Sequence, residues 1–90
     1  MDKKEFYKKV YDILIEVGGA LPTEKENFID AHVEGWCCEW RFSGKLSFGG
    51  KYRKETNTVD CYSEDETAER LRIIKEINEK LKSIRKEDEK

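Results

Sequence analysis

Four residues carry side chains of the kind that ligate metals or attack substrates: His32, Cys37, Cys38 and Cys61. Three cysteines cannot all be paired within one chain, so no complete disulfide framework exists. On a strand, Cys37 and Cys38 point to opposite faces and are poor partners for each other. Zinc sites place ligand pairs about two to four residues apart on a turn, whereas His32 and Cys37 are five apart and no C-x-x-C occurs. That spacing predicts reduced, packed thiols, with no metal and no cofactor. His32 with Cys37 or Cys38 has the residue types of a base and nucleophile. Nothing in the sequence orients such a pair, and a chain this short encloses little pocket volume. The expectation is a structural histidine in a protein that is not an enzyme. Gly49-Gly50-Lys51 is no phosphate loop either, because no Ser or Thr follows the lysine and no helix is expected to start there.

Charge is distributed more informatively. Residues 1–40 carry a net −4 and residues 55–90 a net −3, while 41–54 hold Arg41, Lys45, Lys51, Arg53 and Lys54 with no acid. A basic segment on an acidic body is suited to gripping an anionic surface, either an acidic protein patch or nucleic-acid phosphate. These five residues are the candidate partner-binding set. The competing reading is internal. Arg41, Lys51 and Arg53 would pair with Glu39, Glu34 or acids of the last helix, and edge lysines would discourage sheet-to-sheet association.

The elements that must position this segment can be read in order. Residues 2–17 form a helix with Phe6, Tyr7, Val10, Tyr11, Leu14 and Val17 on one stripe. Asp2 with Glu5 supplies its cap, and Gly18-Gly19 its end. Thr23-Glu24-Lys25-Glu26 has the form of a capping box for a short helix over 24–33, with Phe28, Ile29 and His32 near one face and Gly35 as its stop. The period then changes to two. Strands are expected at 36–42 and 46–52, with Gly49-Gly50 as a bulge or a close approach by another backbone, followed by a polar loop over 53–58 and a third strand at 59–62, antiparallel to the second. Ser63-Glu64-Asp65-Glu66 is a further capping box, opening a helix over 64–86 with Ala68, Leu71, Ile74, Ile77, Leu81 and Ile84 as its apolar stripe. Glu66–Arg70, Arg72–Glu76, Lys75–Glu79 and Glu76–Lys80 are four-residue charge pairs on its exposed face.

Register follows from burial. A three-residue loop over 43–45 places Trp40 opposite Phe48 and Trp36 opposite Tyr52. The rings then gather on one face, with Arg41, Lys51 and Arg53 on the other. The order α-α-β-β-β-α predicts a two-layer α+β domain, a three-stranded antiparallel sheet packed against helices. Ninety residues make one domain, 1–90. No apolar run reaches the roughly 18 residues of a membrane span, and the charged amino-terminal stretch is unlike a signal peptide. The last helix, roughly 33 Å long, exceeds a short sheet and suggests a homodimer.

The stretch Glu39-Trp40-Arg41-Phe42-Ser43-Gly44-Lys45-Leu46-Ser47-Phe48-Gly49-Gly50-Lys51-Tyr52, with Val59-Asp60-Cys61-Tyr62 and Glu66-Thr67-Ala68-Glu69-Arg70, resembles small uncharacterised proteins of phages and mobile elements. The resemblance covers about half the chain. It implies a short accessory protein in the cytoplasm of a bacterial host. Proteins of that setting include inhibitors of host defence, anti-CRISPR proteins among them, which bind a larger protein or ribonucleoprotein complex without chemistry. The expectation is therefore a non-enzymatic modulator of a host complex, such as a defence nuclease, acting through the basic hairpin formed by the strands at 36–42 and 46–52. A nucleic-acid-binding module and a small structural homodimer are the alternatives.

Overall fold

The computed structural model describes residues 2–19, 22–35, 50–61 and 68–88. They form an α+β arrangement of helices and a two-stranded antiparallel sheet. The expected strand at 36–42, the loop at 43–45, Trp36, Trp40, Phe42, Phe48, Cys37, Cys38 and the capping box at 63–66 lie outside the described residues.

Helix α1 spans Lys3–Ile13. Asp2 stays extended and its carboxylate accepts the Glu5 backbone N–H at 2.8 Å, which satisfies one of the helix's free amino-terminal donors. The helix does not remain α to residue 17. Its last turn, Leu14–Gly18, is wound as a π-helix. Gly19 ends it at φ 98°, a backbone angle that glycine reaches without steric cost. Val10 and Leu14 are buried, and Phe6, Tyr7, Tyr11 and Val17 flank them.

Helix α2 spans Lys25–Glu34, one residue later at each end than the expected 24–33. The capping box does not form: Glu24 holds the N-cap position without a side-chain hydrogen bond. Thr23 instead offers its carbonyl to the Tyr11 hydroxyl at 3.1 Å. A contact with α1 thus fixes the start of α2. Lys25 adds to it by pairing with Asp12 at 2.8 Å. Phe28, Ile29, Ala31 and His32 are buried. Gly35 closes the helix in the left-handed conformation at φ 81°, as glycine after a helix commonly does.

Strands β1 (Gly50–Arg53) and β2 (Thr58–Cys61) pair in the order Gly50↔Cys61, Lys51↔Asp60, Tyr52↔Val59, Arg53↔Thr58. Gly50 pairs with Cys61 at the end of the ladder, and Gly49 lies outside the described residues. Alternation sends Tyr52 and Val59 together into the core and their neighbours Lys51, Arg53 and Asp60 to the other face.

Helix α3 runs Ala68–Asp88, reaching two residues past the expected end at 86. Its buried seam is Ile73, Ile77, Leu81 and Ile84. The expected stripe holds at Ile77, Leu81 and Ile84 and in part at Ile74, which packs half-buried against the core, but fails at Ala68 and Leu71, the latter 45% exposed. Repeated three-residue steps slip about 60° per step around a helix of 3.6 residues per turn. Traced back from Ile77, a run through 74, 71 and 68 therefore spirals away from the core, whereas steps of four and three hold one face. The charge pairs also differ: Arg72 lies 4.0 Å from Glu69, and Lys80 reaches Glu16 of the π turn at 3.5 Å instead of Glu76.

The core joins Val10 and Leu14 of α1 and its π turn, Phe28 of α2, Tyr52 and Val59 of the sheet, and Ile77 and Leu81 of α3. Each such side chain contributes about 1.5–3 kcal/mol through burial. Among the described residues, no helix is long and apolar enough to cross a membrane.

Candidate interaction surface

The sheet is anchored to α3 by two asparagines. Asn78, on the flank of the α3 seam, accepts the Val59 N–H on Oδ1 at 2.8 Å and donates from Nδ2 to the Val59 carbonyl at 3.2 Å. A helix side chain thereby satisfies the outward backbone groups of β2, as a neighbouring strand would. Asn57 closes the β1–β2 turn at φ 53°, an angle asparagine tolerates better than most residues. Its Oδ1 accepts the buried Tyr52 hydroxyl at 2.9 Å, and its Nδ2 donates to the Leu81 carbonyl at 3.0 Å. Burial raises the Tyr52 phenol far above its usual range, with smaller upward contributions from Tyr7 and Glu55. It therefore remains a neutral donor.

Of the candidate partner-binding residues, Arg41 and Lys45 lie outside the described residues. Lys51 and Arg53 share the face of β1 that points away from the core. Arg53 forms an ion pair across the sheet with Asp60. This acid lies on the adjacent strand. Neither Lys51 nor Arg53 is an unpartnered charge. Lys54, in the turn, is half-buried, with Nζ 3.6 Å from the position a side chain at Gly35 would take. That sets a cation beside the negative end of the α2 dipole. The turn is thus held at Lys54 and Asn57, and leaves Glu55 and Thr56 exposed.

Behind β1 lies an aromatic cluster that sequence spacing reveals only in part. His32 stacks against Phe28 (centroids 4.2 Å apart), Tyr7 (5.3 Å) and Tyr52 (5.4 Å). Its Nδ1 lies 2.8 Å from the Phe28 carbonyl. A carbonyl only accepts, so the neutral ring carries its proton on Nδ1. The histidine is buried and locked to its own helix. Cys61 is placed by its backbone opposite Gly50. Among the described residues, no three His, Cys, Asp or Glu side chains converge as metal ligands would.

Among the described residues, two surface recesses flank α3. One, of about 390 Å³, lies against the π turn, where Glu16, Glu76, Arg72 and Lys80 ring an apolar floor of Val17 and Ile73. The other, of about 310 Å³, lies between Thr56, Thr58 and Lys82. The asparagine anchors went unread in the sequence. Asn57 signals itself only as a turn-favouring residue at the end of a polar loop, and Asn78 only as a polar residue beside an apolar stripe. Compared with protein-family models, curated proteins and solved structures, the chain matches none.

Proposed function

We propose that this chain is a non-enzymatic binding protein that docks onto a larger host complex through its basic hairpin. The observation that carries this reading is the charge segregation: five bases and no acid over 41–54, between flanks of net −4 and −3. Lys51 and Arg53 on the outer face of β1 support it, as does a turn pinned by Asn57, because a preorganised surface binds at lower entropic cost. The proposed setting is the cytoplasm of a bacterial host, with a phage or mobile element as source and a defence nuclease or its ribonucleoprotein as target. The finer architecture belongs to the same proposal: a two-layer domain in which 36–42 joins as a third strand. Asn78 occupies the outer edge of β2, which favours placing that strand beside β1.

The test is affinity capture from a bacterial lysate, comparing the native chain with Arg41→Glu, Lys51→Glu and Arg53→Glu combined. Loss of one defined set of captured proteins supports the reading. An unchanged set removes the hairpin as the contact. Nucleic acid as the direct partner predicts steep weakening of binding with salt as phosphate counterions are released, measured by gel shift. The homodimer reading predicts melting that depends on protein concentration.

A further inference from the structure

His32 is where three separate parts of the molecule meet. Its ring touches Tyr7 of α1, Phe28 of its own helix and Tyr52 of β1, and it is only 4% exposed. We infer that His32 is an acid-sensitive pin that holds the β1–β2 hairpin against the α1–α2 pair and loosens that junction when it takes up a second proton.

Geometry carries this reading. With Nδ1–H already committed to the Phe28 carbonyl, an added proton must go to Nε2 and places a full positive charge within the aromatic cluster. Among the described residues, the titratable and charged groups facing the ring are the phenols of Tyr7 and Tyr52 and the turn residues Lys54 and Glu55. Burial opposes the charged form most strongly, and Lys54 adds to that opposition. The Phe28 carbonyl and Glu55 act the other way, and the net effect lowers the ring's pKa below its ordinary 6.5. The unfolded chain therefore binds the proton more readily than the folded one. Stability attributable to His32 is complete above the unfolded value and is lost as pH falls from there through the folded value. Tyr7 and Tyr52 keep their protons throughout, since burial raises both phenols.

His32 is the only histidine, so its ring gives a single unambiguous NMR signal in the native chain. A ring titration should show the Nδ1–H tautomer at neutral pH and a midpoint below 6.5. Hydrogen exchange, corrected for intrinsic rates, should show hairpin amides losing protection between about pH 7.5 and about pH 5.5, before ordinary carboxylates titrate. In His32→Phe that loss should disappear. A ring midpoint at or above the ordinary value overturns the inference, as do hairpin protection factors that stay constant across this range. The ring titration decides the matter even if His32→Phe does not fold. The inference does not depend on which partner the hairpin meets.

Discussion

Where α1, α2 and β1 meet, a cluster of rings packs beside the aliphatic Val10, Leu14 and Ile29: Phe28, His32 and Tyr52 are buried and Tyr7 is half-buried. Along α3 and β2 the buried apolar side chains are aliphatic: Val59, Ile73, Ile77 and Leu81. Both regions contain buried polar groups, but of different kinds. On the aliphatic side these are the amides of buried Asn57 and half-buried Asn78, which never ionise and whose bonds go to backbone groups and a tyrosine. On the aromatic side the polar group is an imidazole, and its charge depends on the solvent. One core thus has a side indifferent to acid and a side that responds to it, and Tyr52 belongs to both.

Substitutions can sharpen or break this contrast. The largest expected effect is Phe28→Ala, which should cost about 3–5 kcal/mol by denaturant unfolding. It should also move the His32 titration back toward 6.5, because the ring it leaves behind is better hydrated. Ile77→Ala should cost about 2–5 kcal/mol, but equally on both sides of the histidine titration; a strong pH dependence would erase the distinction between the two sides. Asn57→Ala should cost about 1–3 kcal/mol, chiefly by leaving the buried Tyr52 hydroxyl without its acceptor. Asn57→Gly should recover only the part due to the left-handed backbone. The smallest effect is expected for Arg53→Ala. Its ion pair with Asp60 is half-exposed, so the loss should stay below about 1 kcal/mol and shrink further in salt.

Local signals were legible where a single residue type meets a single backbone demand. Asp2 before a helix and Gly35 after one each act within a turn, and both act as their types predict. An antiparallel pair around Tyr52 and Val59 and the inward Tyr52 follow from simple alternation, although Arg53 and Thr58, which read as loop, extend the two strands by a residue each at the turn. Features settled by tertiary contact were not legible. Thr23 has the right spacing for a cap, yet packing against Tyr11 leaves its carbonyl as the group in use. The α3 stripe could be traced through Leu71 or through Ile73, and only the position of β2 and the π turn selects the latter. Of the candidate contact residues, Lys51 and Arg53 lie on the face that alternation assigns them. That Arg53 would have Asp60 across the sheet needed the register, which the residue types alone leave open.

The wide turn at Leu14–Gly18 has a consequence for how the chain can vary in length. A π-helical turn accommodates one residue more than an α-helical turn over the same rise. Removing a single residue there can be absorbed by rewinding to ordinary helix, with Gly19 still available to end it. The same deletion inside α3 would rotate every later side chain by roughly 100° and turn Leu81 and Ile84 off the core. Among the described helices, the carboxyl end of the first is where the chain best absorbs such a loss.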